Sequence, residues 1–304
     1  MTNCEKEENL AEEQTVDHSS IIDHERYPGI NVENDVLCFE SIEYYESIAE
    51  NEEGNSTTVD ELSKYVATVS FKSYGKSVEV PAEFSDPFID AILNEDQVVK
   101  IGEWFIQIDI QSEQVWALSS TEENAYQNLI AHTGRNLREF SIGDDVLEHL
   151  ANNTTPEDRA CGGIGGGTYS AYPNIADAPV IGSIGGTEIT LNTGVKFFRA
   201  GIYFRLSSLY ELWPSVAVPS SVFAIKVEVK APQGWYKKKP CNGSSVGTQA
   251  AYTAVMWSMG TSGQATFYSG TRNLNGYYYY VRAKCTNCGT DWTSYGGRNI
   301  NSPY

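Results

Sequence analysis

The two halves of the chain carry opposite charge, and this split most constrains what the chain can fold into. Residues 1–160 hold 35 acidic and 9 basic side chains, a net charge of −26, whereas residues 161–304 hold 5 acidic and 12 basic side chains, a net charge of +7. All four histidines lie in the acidic half. This composition predicts two modules with different surfaces, and 304 residues are enough to bury two separate cores.

The charge also excludes some classes of partner. The overall net charge of −19 repels polyanions and anionic lipid headgroups, so we do not expect the protein to bind nucleic acid. The apolar runs of the sequence are shorter than the roughly 20 residues that a membrane-spanning helix needs. Contact with a membrane is therefore expected only through a lipid anchor.

The candidate anchor is Cys4, which is followed by the acidic sequence EKEE. This Cys-x-Lys-Glu-Glu pattern resembles bacterial lipoproteins after signal cleavage, in particular the export tag of outer-membrane lipoproteins of Bacteroidota. The resemblance implies a lipid on Cys4 and a location at the extracellular face of the outer membrane or in the periplasm. The alternative is an acidic terminus in which the cysteine has no special role.

The acidic half divides into a tether and a folded module. Residues 1–34 are acidic and poor in apolar side chains, which predicts a disordered tether. Residues 35–151 mix short strand and helix patterns, which predicts an α+β module that begins with a strand at Val36. Helices are predicted over 40–48, from a Thr58 cap, from Asp86-Pro87, over 122–131 and over 143–151.

A three-stranded meander is predicted over 98–118. Trp104, Ile106, Ile108 and Ile110 alternate with polar or exposed positions, as in a strand with one buried face. The stretch from Asn94 to Leu118 resembles an N-terminal module of uncharacterised secreted proteins of Bacteroidota. This resemblance implies no known activity.

A glycine-rich linker is predicted over 152–168, and the pattern beyond it becomes all-β. The glycine run lacks the Lys-Ser or Lys-Thr of a phosphate-binding loop. Residues 169–304 contain six or more alternating strands and glycine-rich turns, which predicts an antiparallel sandwich resembling a jelly roll. The fold class predicted for the whole chain is therefore an α+β module followed by a β-sandwich.

Aromatic residues suggest a ligand surface on the β module. In the run 277–280 of four tyrosines, strand geometry places two residues on each side of the sheet. If Tyr277 and Tyr279 face the core, Tyr278 and Tyr280 point outward beside Arg282. With Trp292 in a loop they would form a platform on which sugar rings stack. The alternative is that these aromatic residues serve packing alone.

The cysteines of the β module suggest an oxidising compartment. Cys161, Cys241, Cys285 and Cys288 are even in number, and we expect them to form disulfides. Of the three possible connectivities we favour 285 with 288 and 161 with 241. A four-cysteine zinc site or a redox-active Cys-x-x-Cys are the alternatives, and Cys38 is predicted to be a buried thiol.

Short hydrolase-like patterns do not indicate an enzyme. The sequence GSSVG at 243–247 matches a nucleophile elbow, but no histidine follows it, so we interpret it as a turn. Ser73 and Lys76 fit Ser-x-x-Lys, although the flanks predict a hairpin. Asp144 and Asp145 could be an acid/base pair or a calcium site, but a solvated helix start is the preferred interpretation.

Glycosidase chemistry needs two carboxylates on either side of the scissile bond. No pair in the β module has a spacing that marks it, and Glu228 alternates with lysines as in a cross-strand ion pair. The acidic residues available there are Asp177, Glu188, Glu211, Glu228 and Asp291.

The sequence therefore predicts a non-enzymatic lipoprotein of the cell surface or periplasm, with no cofactor and no metal, whose basic β module binds a glycan or an envelope protein. One alternative is an assembly subunit in which the acidic module of one chain binds the basic module of the next. Another is a secreted enzyme that acts on glycans.

Overall fold

The computed structural model describes residues 26–50, 57–68, 71–80, 84–155, 167–171, 180–184, 187–213, 225–237, 245–249, 252–258, 262–271, 274–285 and 293–301. Residues 26–155 are called here the acidic region. None of the helices in the described ranges combines the length and apolar character needed to cross a membrane.

A six-stranded mixed sheet forms the centre of the acidic region. Its strands lie in the order β1-β2-β3-β4-β5-β6, and all neighbours are antiparallel except β2 and β3, which are parallel. The crossover that a parallel pair requires contains the first four helices. The strands are β1 (Ile30–Glu33), β2 (Val36–Phe39), β3 (Val98–Ile101), β4 (Trp104–Asp109), β5 (Gln114–Ser119) and β6 (Arg138–Ser141).

Within the described part of residues 26–155, six helices accompany this sheet, so the α+β prediction is confirmed there. They are α1 (Ile42–Ala49), α2 (Thr57–Thr68), α3 (Tyr74–Ser77), α4 (Pro87–Ile92), α5 (Ala125–Ile130) and α6 (Val146–Ala151). The predicted meander corresponds to β3, β4 and β5. Helix α2 begins at Thr57, so Thr58 lies in its first turn and is not its cap.

Local chemistry explains where α1 and α4 begin. The Ser41 hydroxyl accepts a hydrogen bond from the Tyr44 N–H at 3.1 Å and caps α1. The Asp86 carboxylate accepts from the Phe88 N–H at 2.9 Å, and Pro87 occupies the first helical position, where no N–H is needed. The predicted helix opening at Asp86-Pro87 is confirmed.

The sheet is covered on both sides. On one side Ile106, Ile108 and Val115 are buried in the main core together with residues of α1, α2 and α4. On the other side Leu118 packs in a smaller cluster with Leu129 of α5. The pattern of alternating buried residues along β4 is therefore the inner face that the sequence predicted.

Strand β1 lies inside the segment that the sequence predicted to be a tether. Tyr27 and Ile30 are buried, and β1 pairs with β2 from Ile30 opposite Phe39 to Glu33 opposite Val36. The folded part therefore begins before Val36. A four-residue strand in an acidic segment gives too short an alternation to be recognised, because its burial depends on β2.

The later strands form two five-stranded sheets, and every described pairing among them is antiparallel. One sheet has the order β14-β10-β9-β7, with β8 also paired to β9; the other has the order β12-β11-β15-β16, with β13 also paired to β11. The strands are β7 (Gly167–Ala171), β8 (Val180–Ile184), β9 (Thr187–Arg199), β10 (Phe204–Trp213), β11 (Ile225–Lys237), β12 (Ser245–Gln249), β13 (Tyr252–Ser258), β14 (Ser262–Gly270), β15 (Leu274–Cys285) and β16 (Thr293–Asn301).

The hairpin between β9 and β10 enters the core of the acidic region. Phe198, Ala200, Ile202 and Tyr203 belong to the same buried cluster as the residues of α1 and α4. Gly201 has a φ of +70°, and a Cβ there would lie 2.8 Å from a methyl group of Val115. Most of the predicted linker, 156–166, lies outside the described residues, so the division into two modules stays a prediction.

Candidate functional site

Three of the four predicted ligand-binding residues lie on β15. Tyr278, Tyr280 and Arg282 occupy alternate positions of this strand, which runs between β11 and β16. Trp292 lies outside the described residues, as does the predicted lipidation residue Cys4. The structure therefore places three members of the predicted platform on one strand.

The predicted disulfides stay a prediction. Cys161, Cys241 and Cys288 lie outside the described residues, and Cys285 is the last residue of β15, opposite Ile225 of β11. Cys38 is a buried free thiol, 5% exposed, which confirms that prediction.

The register between β11 and β15 aligns their charged residues. Lys226 pairs with Lys284, Glu228 with Arg282, and Lys230 with Tyr280. Paired residues of an antiparallel sheet lie on the same side, as do alternate residues of one strand. A shift of one residue would have placed the charged positions of the two strands on opposite sides.

The other side of the same strands is apolar. Val227 pairs with Ala283, and Val229 pairs with Val281. Strand β13 extends this side, because Met256 pairs with Val227 and Ala254 with Val229. Antiparallel sheets commonly pack their apolar side on a core and leave the polar side to solvent, so the charged side of these strands is the candidate ligand surface.

Two irregularities flank the tyrosines without interrupting β15. On β11 the register shifts between Lys230 and Gln233, where Pro232 lies, and on β16 it shifts opposite Tyr279 and Val281. Proline is tolerated in a sheet at such bulges because it has no N–H for the ladder. The extra residues belong to the neighbouring strands, so Tyr278 and Tyr280 keep alternate positions on β15.

We call the charged side of these strands the charged face. It includes the register positions Trp257, Val255 and Thr253 of β13, Lys226, Glu228, Lys230, Gln233 and Trp235 of β11, Tyr278, Tyr280, Arg282 and Lys284 of β15, and Ser294 and Asn299 of β16. Sequence reasoning missed Trp257, Gln233 and Asn299, because only strand pairing brings them beside the tyrosines. Aromatic, amide and cationic residues thus share one side of a sheet.

A buried ion pair joins the acidic region to β10. The Arg205 Nε lies 3.1 Å from the Asp86 Oδ2 and donates to the Tyr203 hydroxyl at 2.9 Å, and the side chains of Arg205 and Asp86 are 10% and 5% exposed. Burial raises the pKa of Asp86, while Arg205 and the Phe88 N–H act in the opposite direction. Sequence reasoning missed this pair because its members are 119 positions apart.

Asp90, one turn along α4, is a second perturbed carboxyl. Its Oδ2 accepts a hydrogen bond from the Ser85 hydroxyl at 2.5 Å, while its buried Oδ1 has no hydrogen-bond partner among the described residues. Burial, opposed by Ser85, raises the pKa of Asp90 to about 6. Asp86 is buried and Asp90 is partly buried, and the side-chain contacts of Asp86 with Arg205 and of Asp90 with Ser85 stabilise the fold.

The Ser-x-x-Lys pattern lies at a helix start, so the predicted hairpin is wrong. Ser73 is the N-cap of the short helix α3, and the Val78 N–H donates to the Tyr74 carbonyl. The Lys76 Nζ donates to the carbonyls of Val66 and Phe71 at 3.2 and 3.1 Å, near the end of α2. Burial lowers the pKa of Lys76, but the amine binds main-chain carbonyls and acts as a cap for α2.

The other enzyme-like patterns also have structural explanations. Asp145 is the N-cap residue of α6, and the Asp144 carboxylate accepts from the Ser141 N–H at 2.7 Å, which confirms a helix start. Ser245 begins strand β12, so this part of GSSVG is neither the strand-to-helix elbow of a hydrolase nor the predicted turn. Among the described residues no group of three or more metal-ligating side chains is present.

A cleft of about 230 Å³ lies beside β1 and β2. The charged groups in its lining include Glu33 and Lys100, which form an ion pair at 3.2 Å. Cys38 also lines it, but burial raises the pKa of this thiol to about 12, so the thiol stays protonated and is a poor nucleophile.

An aromatic stack on the acidic region is also partly exposed. The ring centroids of Trp116 and His132 are 4.0 Å apart, and the His132 Nε2 lies 2.9 Å from the Gln107 Oε1. His132 has a φ of +52° at the end of α5, a conformation that glycine usually adopts. The contact holds the imidazole against the sheet.

Comparison of the chain with protein-family models, with curated proteins and with solved structures gives no match.

Proposed function

We propose that this protein is a non-enzymatic lipoprotein of the bacterial cell envelope that binds a glycan through the charged face. A lipid on Cys4 would hold it at the extracellular face of the outer membrane or in the periplasm. This anchor and location are supported by the Cys-x-Lys-Glu-Glu resemblance alone. The two five-stranded sheets would form the sandwich, resembling a jelly roll, that carries the ligand surface.

The observation that carries the proposal is the register of β11 and β15. It aligns Tyr280 with Lys230 and Tyr278 with Gln233, and Asn299 pairs with Tyr278 from β16. Sugar rings present an apolar face that stacks on aromatic rings and hydroxyl groups that bond to amides and cations. This combination of residue types along adjacent positions supports a binding surface over a catalytic site.

The predicted binding residues can be tested by alanine substitution with a control in the same strand. Tyr278→Ala and Tyr280→Ala should each weaken glycan binding about tenfold or more, equivalent to about 1.4 kcal/mol, and should leave the melting temperature nearly unchanged. Tyr277→Ala, at a position on the apolar side, should instead destabilise the protein by about 3 to 5 kcal/mol. Binding is measured on a glycan array that holds neutral and acidic oligosaccharides.

Two outcomes would remove the proposal. The first is that the wild-type protein binds no oligosaccharide on the array. The second is that Tyr278→Ala and Tyr280→Ala unfold the protein as readily as Tyr277→Ala, because the tyrosines would then serve packing alone.

A second candidate function is head-to-tail assembly, which the charge difference between the two halves favours. The acidic region of one chain would bind the charged face of the next. Size-exclusion chromatography from 50 mM to 1 M salt tests it, since electrostatic assembly should dissociate as salt rises. An oligomer that persists unchanged at high salt, or a monomer at low salt, would exclude it.

A further inference from the structure

The charged face contains two lysines at directly paired positions. Lys226 of β11 and Lys284 of β15 are register partners. Like charges at such positions repel each other, because the two Cβ atoms of a directly paired position lie about 4.5 to 5.5 Å apart. An anion that binds between these two lysines would reduce their repulsion and so stabilise the sheet.

The strands of this sheet supply little negative charge to neutralise these lysines. Glu228 is the only acidic residue in β11, β12, β13, β15 and β16, and its register partner is Arg282. If Glu228 and Arg282 form a cross-strand ion pair, the charge of Arg282 is already balanced. Lys226, Lys284 and the nearby Lys230 then remain as the cationic positions of the face.

Aromatic residues adjoin the same cationic positions. Trp257 of β13 pairs with Lys226 on the side opposite Lys284, so that the row reads Trp257, Lys226, Lys284 across three strands. Tyr280 pairs with Lys230. Adjacent strands lie about 4.7 to 4.9 Å apart, so one sugar ring over the aromatic position places its substituents within reach of the lysine positions.

We propose that the ligand of the charged face is an acidic glycan, with carboxylate or sulfate groups bound at Lys226 and Lys284 and a sugar ring stacked at Trp257. Arg282, predicted from sequence as a binding residue, would be neutralised by its register partner Glu228 and would not contact the ligand. This inference rests on the proposed function and adds the chemical class of the ligand to it.

The test compares acidic oligosaccharides with their carboxyl-reduced or desulfated neutral counterparts on the full chain. Lys226→Gln/Lys284→Gln should weaken binding of the acidic oligosaccharides about tenfold or more and leave neutral ones unchanged. Lys226→Arg/Lys284→Arg keeps both charges and should retain at least half of the wild-type affinity. Wild-type binding of the acidic oligosaccharides should also weaken as salt rises from 50 to 500 mM.

Two controls separate local from general charge effects. Glu228→Gln/Arg282→Gln leaves the net charge and the lysines unchanged, and affinity should stay within about twofold of wild type. Lys64→Gln/Lys72→Gln removes two exposed lysines from the acidic region and should have no effect on glycan binding. Melting temperatures establish that each variant is folded.

The outcomes distinguish this inference from the proposed function. If acidic and neutral oligosaccharides bind with equal affinity, the proposal of an acidic ligand is wrong and glycan binding stands. The same follows if Lys226→Gln/Lys284→Gln loses no affinity while Tyr278→Ala does. No binding of any oligosaccharide overturns both. Association of the protein with its own copies through the same two lysines would replace the glycan with a second chain as the ligand.

Discussion

The sheet of the acidic region and the sheet that contains β11 and β15 use charge in different ways. In the acidic region both sides of the sheet are covered, one by α1, α2, α4 and the β9–β10 hairpin and the other by α5. In the later sheet, charged positions of neighbouring strands coincide on one side and apolar positions on the other. The comparison shows that the first sheet is buried on both sides, whereas β11 and β15 of the second sheet align their charged positions on one side.

The β9–β10 hairpin and strand β14 contact the acidic region directly. The acidic region has a core of its own, yet the tip of the β9–β10 hairpin is buried in that core, and Phe88 and Tyr203 lie 4.8 Å apart between ring centroids. Strand β14 contacts helix α1, because the Ser269 hydroxyl donates to the Ala49 carbonyl at 3.0 Å. The β9–β10 hairpin, which follows the predicted linker, therefore packs against residues that precede the linker.

The largest effect is expected from Tyr203→Ala. The Tyr203 ring is fully buried, and its loss also removes the hydroxyl that Arg205 bonds, so the free energy of unfolding should fall by about 5 kcal/mol. Hydrogen exchange should accelerate at the amides of Ile106 and Ile108 if the hairpin closes the core of the acidic region. Unchanged exchange there would show that the region is stable without the hairpin.

Tyr203→Phe is the matched control, because it keeps the ring. It should cost only about 1 to 2 kcal/mol, the usual effect of one lost hydrogen bond in a buried place.

A smaller loss is expected when the ion pair between the regions is broken. Arg205→Met leaves the Asp86 carboxylate buried without its cation, which should cost about 3 kcal/mol in urea denaturation. Combining it with Asp86→Asn should cost less than the sum of the two single losses. Strict additivity would mean that Asp86 and Arg205 do not interact.

The smallest effect concerns Asp90 and depends on pH. Because the pKa is raised to about 6 in the folded protein from about 3.9 in an unfolded chain, the fold favours the protonated carboxyl. The stability that this group contributes is present below about pH 4 and is lost as pH rises through 6. Asp90→Asn should therefore stabilise the protein by about 1 kcal/mol at pH 7, after allowance for partial solvent exposure, and by nothing at pH 4.

The exposed residue Glu123 provides the control for this prediction. Glu123→Gln removes one carboxylate from an exposed position and so measures the effect of the change in net charge alone. A gain for Asp90→Asn that is equal at pH 4 and pH 7 would contradict the assignment of the pKa shift.

Much of the acidic region could be predicted because its signals are local. The alternation from Trp104 to Ile110 and the opening at Asp86-Pro87 each lie within a few residues. The parallel pairing of β2 with β3, strand β1 and the helix at Ser73 were not predicted, since each is stabilised by contacts with distant segments. Strand pairing carries little sequence signal of its own.

Only the part of the candidate site that depends on local alternation could be predicted from the sequence. Alternation along β15 was enough to select Tyr278, Tyr280 and Arg282. It did not identify the strands on either side, so Trp257 and the lysine pair were missed. Nor did it show that Glu228 is the register partner of Arg282.

The central claim is the register that aligns the charged positions of β11 and β15, and a disulfide crosslink tests it directly. Glu228→Cys/Arg282→Cys places two thiols at paired positions, where a disulfide can form. Mild oxidation and peptide mass spectrometry should find this crosslink in high yield, and none in Glu228→Cys/Ala283→Cys, where the two positions are on opposite sides. A crosslink in the second variant and none in the first would show that the register is shifted by one residue and that the charged face does not exist.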